Sequence, residues 1–222
     1  MTMNWSARRL IATEVRLPEG VASSGTSGQI LRAGLARFAE VGFYGASIRD
    51  IAAIAGVNSA TLYAHYPSKE HILAALILHG HVELHRRLQE ALVRAGVEPA
   101  DQLAAVVRAH VSIHTDFPML AVVTNTELHA LSPELGLPAV TLREQSRQLL
   151  LQVLMNGAER GAFAIPDTVL TATAISAIGM RVATWFGPEV PYTADEIADT
   201  YVELALRIVG ARVETPSTPA TE

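Results

Sequence analysis

The chain of 222 residues contains no cysteine. This absence excludes disulfide frameworks, thiol nucleophiles and metal sites built from cysteine ligands. It is also typical of proteins that work in the reducing cytoplasm. Long apolar runs are missing as well. The uncharged segment from Thr168 to Met180 is shorter than the roughly 17–25 apolar residues that a membrane helix needs.

The first twenty residues contain no apolar block of the length found in signal peptides. We therefore expect a cytoplasmic protein without a membrane partner. Of all residues, 50% are hydrophobic and 18% are charged, and the mean hydropathy is +0.26. This composition is typical of a folded globular chain and excludes a disordered one.

The motifs of common enzymes are also missing, since the sequence has no serine nucleophile elbow, metalloprotease helix or glycine-rich phosphate loop. Two histidine pairs, His81 with His85 and His110 with His114, have the i, i+4 spacing that can hold a metal ion on a helix. No third ligand follows at a fixed spacing. We predict no enzyme, no cofactor and no metal site, with a helical metal-dependent enzyme or hydrolase as the remote alternative.

Charge is distributed unevenly along the chain, whose net charge is −5. Residues 1–75 contain seven Lys and Arg against five Asp and Glu, a net charge of +2. Residues 76–222 contain ten against seventeen, a net charge of −7. A polyanion such as nucleic acid is therefore expected to approach the first third of the chain.

Apolar residues recur at helical spacing, and no segment shows the period-two alternation of a strand. We predict an all-α fold of about nine helices. Four regions are expected: a flexible arm over 1–26, a three-helix domain over 27–74, a second helical domain over 75–213 and a disordered tail over 214–222.

The first helix is predicted from Ser27 to Gly42, and the second begins after the capping residue Ser47 and ends at Gly56. The third helix ends before Pro67, and the fourth extends from Ser68 to about Ala95. Prolines separate the remaining helices, which are predicted at 99–115, 119–131, 138–160, 167–186 and 193–211.

Helices two and three, with the glycine turn between them, have the spacing of a helix-turn-helix, which seats its second helix in the major groove of DNA. Short helices around a glycine turn also occur in structural proteins. The third helix favours DNA binding because it is almost uncharged and carries small or hydrogen-bonding side chains. They are Asn58, Ser59, Ala60, Thr61, Tyr63 and His65. Leu62 and Tyr66 are expected to face the core.

Three segments, FYGASIRDIA at 43–52, AGV at 55–57 and TLYAHYPSKE at 61–70, resemble the DNA-binding domain of the TetR family of bacterial repressors. The resemblance covers residues 27–74. It implies phosphate contacts from Ser47, Tyr63, His65 and Lys69, and base contacts from Asn58, Ser59, Ala60 and Thr61. Arginines of the arm, Arg8, Arg9 and Arg16, are candidates for the minor groove, although a disordered tail explains them equally well.

One recognition helix reads too few base pairs to specify a genomic site, so such modules act as dimers on palindromic operators. The expected homodimer face is formed by the last two helices, 167–186 and 193–211. The first of them contains the small residues Ala174, Ala177 and Gly179, and the second has an apolar stripe that consists of Ile197, Tyr201, Leu204 and Ile208. In the family, these two helices form a four-helix bundle with those of the partner.

The second domain also resembles TetR regulators of fatty-acid and steroid breakdown, many of which respond to acyl-coenzyme A thioesters. The segments that carry the resemblance are NTELHAL at 125–131, GAERGAF at 157–163, WFGP at 185–188 and DEIA at 195–198, with Tyr201. It implies a repressor that leaves its operator when an apolar small molecule enters a pocket between helices. The first candidates for the pocket wall are Phe117, Asn125, Met180 and Trp185.

A drug-efflux repressor that senses cationic or aromatic drugs is the alternative within the family. An acid in the pocket, such as Glu127, would favour it, whereas a basic group at the pocket mouth, Arg181 or Arg143, would favour acyl thioesters. A ligand carrier whose DNA-binding module no longer works is a further alternative.

Overall fold

The computed structural model describes residues 14–19, 21 and 25–211. The predicted tail at 214–222 and most of the predicted arm, with Arg8 and Arg9, lie outside the described residues. Arg16 lies inside them, where its guanidinium pairs with Glu14 at 2.8 Å. Leu17, also in the predicted arm, is buried in the core of the first domain.

All regular structure in the described ranges is helical, which confirms the all-α prediction and the number of nine α-helices there. The helices are α1 (Thr26–Gly45), α2 (Ile48–Ile54), α3 (Ser59–His65), α4 (Lys69–Arg94), α5 (Pro99–Asp116), α6 (Pro118–Thr126), α7 (Pro133–Glu159), α8 (Thr168–Arg181) and α9 (Ala194–Ile208). Short 3₁₀ helices follow α6 at Leu128–Ala130 and α8 at Val182–Thr184. None of the described helices is long and apolar enough to cross a lipid bilayer.

Local sequence determines where each helix after α1 begins. The side chains of Ser47, Asn58, Ser68, Asp167 and Thr193 accept a hydrogen bond from a first-turn amide, and prolines start α5, α6 and α7. Helix α1 is interrupted at Gly42, the residue at which the sequence predicts its end. The φ of Gly42 is 72°, a left-handed value that is not helical and that favours glycine.

Three predicted boundaries are wrong. Helix α7 begins at Pro133, and Pro138 lies inside it, because a proline near the start of a helix removes only one amide from the ladder. The helix predicted at 119–131 ends at Thr126 and is followed by a 3₁₀ turn. The helix predicted at 167–186 ends at Arg181 in the same way.

Two apolar cores are stacked along α4. The first joins α1, α2, α3 and the start of α4 around fully buried side chains such as Leu35, Ile51, Leu62 and Ile72, and it includes Leu120 of α6. The second joins α5, α7, α8 and α9. Because α6 belongs to the first core and lies over the middle of α4, the two predicted domains share a continuous apolar interface.

Candidate functional site

The helix-turn-helix is built as predicted. Ser47 caps α2 by accepting a hydrogen bond from the amide of Asp50 at 3.1 Å, and the chain turns at Gly56, whose φ is +69°. Leu62 is 0% exposed and fixes α3 to the core. Tyr66 packs against the same core, and its hydroxyl is 2.8 Å from that of Ser27.

Because Leu62 faces the core, the opposite face of α3 faces solvent. Tyr63 is 51% exposed, Ala60 and His65 are exposed, and Ser59 and Thr61 are half-buried. This face has hydrogen-bonding groups and no carboxylate, which is what a helix needs in order to lie against base edges between two phosphate backbones.

Asn58 and Lys69 have structural partners that the sequence did not indicate. The Oδ1 atom of Asn58 accepts a hydrogen bond from the amide of Thr61 at 2.8 Å, so its NH₂ group and one lone pair of Oδ1 are left to reach DNA. The ammonium of Lys69 donates to the carbonyls of Phe43 at 2.7 Å and Ala46 at 2.8 Å and lies over the Phe43 ring. One of its three N–H donors is left for a phosphate.

A cavity of about 510 Å³ lies in the second domain, enclosed by α4, α5, α6, α7 and α8. Its wall is mostly apolar, and Leu88, Val106, Leu120, Leu150 and Ile175 contribute to it. This size is within the range of ligand sites, roughly 300–1,000 Å³.

Of the four residues predicted to line a pocket, the structure places Phe117, Asn125 and Met180 in the cavity wall. Trp185 lies outside it, because α8 ends at Arg181 and the 3₁₀ turn carries Trp185 to the second core, where it is half-buried. Arg143, predicted as a basic group at the mouth, lines the cavity at an exposed position, whereas Arg181 does not.

The exposed edge of the cavity is basic. Arg143 and Arg147 of α7 both line it, and Glu144 between them accepts hydrogen bonds from Arg147 and Gln148. Those bonds hold the pKa of Glu144 well below its usual range. Among the described residues, no carboxylate forms an ion pair with Arg143, so its positive charge is available to an anion.

Three of the histidines in the predicted pairs lie at the cavity wall. Burial, together with the nearby charge of Arg143, lowers the pKa of His81 to about 4, and burial beside His114 lowers that of His110 to about 3. His85 reaches Ser146 at 3.1 Å instead. Within the part of the chain that is described, no group of three potential metal ligands is found.

Two carboxylates connect the second domain to the first. Glu127, between the cavity residues Asn125 and Leu128, accepts a hydrogen bond from the amide of Phe43 at 3.2 Å. Glu70 of α4 accepts one from the amide of Ser132 at 2.7 Å. Glu127, named as an example of an acid that a pocket could contain, does not line the cavity: the break in α1 at Gly42 leaves the amide of Phe43 without a helical acceptor, and Glu127 supplies one.

The last two helices expose apolar and small side chains. On α8 these are Leu170, Ala174 and Ala177, and on α9 they are Leu204 and Ile208. Two predicted members of this face turn inward: Ile197 is buried, and Gly179 lies against His110.

Two family models match the chain. One, described as bacterial regulatory proteins of the tetR family, matches residues 30–76, and the other, described as a tetracyclin repressor-like C-terminal domain, matches residues 96–209. The second match alone spans just over half of the chain. The chain belongs to the TetR family.

Individual relatives of this TetR-family chain extend over most of its length. It is 27% identical over 181 residues to the HTH-type transcriptional repressor KstR2 of Mycobacterium tuberculosis, which covers 81% of this chain and 90% of that protein. It is 26% identical over 178 residues to the fatty acid metabolism regulator protein of Bacillus subtilis, covering 79% and 91%. A crystal structure of a tetR-family regulatory protein from Rhodococcus RHA1 superposes with a TM-score of 0.80 at 31% identity, covering 86% and 100%.

Two polar residues of the cavity wall, Ser146 and Arg147, are not indicated by the sequence. Both lie on α7, and the helices that face them are distant in the chain. The histidine spacing indicates a shared helix face, but it does not show that three of these histidines line a cavity.

Proposed function

We propose that this TetR-family chain is a dimeric repressor that binds a palindromic operator and releases it when an apolar acyl-coenzyme A or a related lipid or steroid catabolite binds. The observation that carries the proposal is α3, whose polar face is exposed while Leu62 holds it against the core. Such a protein acts on the chromosome, in the cytoplasm.

On DNA, α3 enters the major groove. Ser59, Ala60 and Thr61 at its start approach the bases, while Tyr63 and His65 approach phosphates. The first-turn backbone amides of α2 and α4 and the remaining N–H donor of Lys69 supply further phosphate contacts. The homodimer forms through α8 and α9, whose exposed Leu170, Leu204 and Ile208 are apolar surface that a partner would cover.

The cavity favours an apolar acid or thioester over a cationic drug. Apart from Glu144, which is already paired with Arg147, the described cavity wall holds no carboxylate. Arg143 and Arg147 suit the phosphates of a coenzyme A group at the exposed edge. The name of one relative, the fatty acid metabolism regulator protein of Bacillus subtilis, supports a lipid catabolite as effector.

The signal passes from the cavity to the DNA-binding domain through α6 and α4. A ligand against Asn125 and Leu128 displaces the segment that carries Glu127, and Glu127 binds the backbone of Phe43, which in turn binds Lys69. A ligand needs to prefer the non-binding geometry by only a few kcal/mol to empty most operators.

The variant Tyr63→Ala tests the proposal. Because Tyr63 is half-exposed, its removal leaves the fold intact and weakens binding to the DNA that flanks the chain's own gene by about tenfold or more. Tyr192→Ala, an equally exposed tyrosine before α9, is the matched control and keeps wild-type affinity in fluorescence anisotropy. Equal binding by both variants would contradict the assignment of α3.

A further inference from the structure

Unpaired buried polar atoms are concentrated at the cavity. Among the described residues, four buried side-chain nitrogen or oxygen atoms have no hydrogen-bond partner, and three of them belong to the cavity residues His81 and Thr124. His81 is only 4% exposed and Thr124 only 6%. Leaving such atoms unpaired costs free energy, so their retention in an otherwise apolar wall points to a partner that comes from outside the chain.

Two other buried polar side chains of the cavity wall, His114 and Ser146, are already paired. The Nδ1 atom of His114 donates to the carbonyl of His110 at 2.7 Å, which leaves its Nε2 atom to accept from Asn125 at 3.4 Å. The hydroxyl of Ser146 is bonded to His85. His81 and Thr124 differ from these two side chains in having unused hydrogen-bonding capacity.

His81 and Thr124 both line the cavity near Gly80, where α6 packs against α4. Glycine at position 80, next to His81, allows α6 to approach α4 so closely that a Cβ atom there would lie 2.6 Å from the Thr124 hydroxyl oxygen. Since burial and the charge of Arg143 keep His81 neutral at pH 7, the ring has one N–H donor and one acceptor nitrogen. The Thr124 hydroxyl can likewise donate and accept.

Neutral donors in an apolar, enclosed site favour a neutral partner. An ammonium there would lose its hydration without a counter-charge, and the nearby charge of Arg143 opposes it. A carboxylate would lose more of its hydration there than at the exposed edge, where Arg143 is available to it. A carbonyl or hydroxyl oxygen loses little on entering and satisfies the free donors.

We propose that His81 and Thr124 form a neutral subsite that hydrogen-bonds an uncharged oxygen, such as the thioester carbonyl, of the effector. This inference rests on the proposed function, because it assigns the polar contact within the same ligand cavity. The anionic part of the ligand then lies at Arg143 and Arg147 on the exposed edge.

Two ligands that differ in one oxygen test the subsite: octanoyl-coenzyme A, and octyl-coenzyme A, the thioether that lacks the carbonyl. Their affinities for the full chain are measured by isothermal titration calorimetry without DNA. The wild type is expected to bind the thioester about five- to tenfold more tightly, the value of one net hydrogen bond. In Thr124→Val and His81→Leu this preference falls to about one.

The control is Thr115→Val, a buried threonine of α5 outside the cavity whose hydroxyl is bonded to backbone carbonyls; it keeps the wild-type preference. Thermal melting separates ligand recognition from structure, since Thr124→Val removes an unpaired hydroxyl and is expected to melt no lower than the wild type. Equal wild-type affinity for both compounds would overturn the subsite alone. Binding of neither compound would overturn the subsite together with the acyl-thioester proposal.

Discussion

Replacing Glu127 by alanine tests how the cavity communicates with the DNA-binding domain. Its carboxylate accepts a hydrogen bond from the amide of Phe43 at 3.2 Å. Bonds to a charged group contribute about 1.5–3 kcal/mol, and partial exposure together with the long distance reduces this to about 1 kcal/mol. If the bond forms in only one of the two regulatory geometries, its loss changes the coupling free energy by that amount, which is about fivefold in affinity.

The measurement is the ratio of operator dissociation constants with and without saturating octanoyl-coenzyme A. We expect this ratio to fall about fivefold in Glu127→Ala and less in Glu127→Gln, which keeps an acceptor oxygen. Glu98→Ala is the control, because Glu98 pairs with Arg160 far from Phe43. A folded Glu127→Ala protein with the wild-type ratio would refute this route for the signal.

Three further predictions concern stability and assembly. Leu62→Ala is expected to lower the free energy of unfolding by about 2–5 kcal/mol in urea titrations and to abolish operator binding, because α3 loses its only fully buried anchor; a loss under 1 kcal/mol would contradict the packing. Protonation of His81, whose pKa is about 4 in the fold against about 6.5 unfolded, favours the unfolded chain, so stability falls as the pH drops below about 6.5 and the loss is complete below about 4. Between pH 7 and pH 5 the free energy of unfolding of the wild type should therefore fall by about 2 kcal/mol more than that of His81→Leu. Parallel pH profiles of the two proteins would contradict this role of His81. Leu204→Glu, on the exposed face of α9, is expected to give monomers in size-exclusion chromatography and to weaken operator binding. Dimers of unchanged stability would show that the interface does not include this face.

The helix-turn-helix could be predicted from the sequence because its determinants are local. Ser47, Gly56 and Asn58 act on residues within four positions of themselves, and the apolar spacing around Leu62 defines which face of α3 is exposed. Contacts between residues this close in sequence give a recognisable spacing of capping, glycine and apolar residues along the chain.

The effector cavity was predicted only in part because its contacts join distant segments. The sequence names Glu127 only as an example of an acid that a pocket could contain, and its partner is the amide of Phe43, 84 positions earlier. Similarly, Pro138 was read as a helix start because a proline favours that position, whereas Pro133 already occupies it. Spacing on one helix shows that His81 and His85 share a face, but not that α6 brings Thr124 against Gly80, the residue before His81.

The proposed repressor must both bind operator DNA and release it when a lipid thioester binds. The most direct measurement is a gel shift of the DNA flanking the chain's own gene, repeated with acyl-coenzyme A thioesters, free fatty acids and cationic dyes. We predict a retarded band that thioesters release and dyes do not. Release by dyes alone would show that the effector is a cationic drug, and absence of a shift at moderate salt would contradict DNA binding itself.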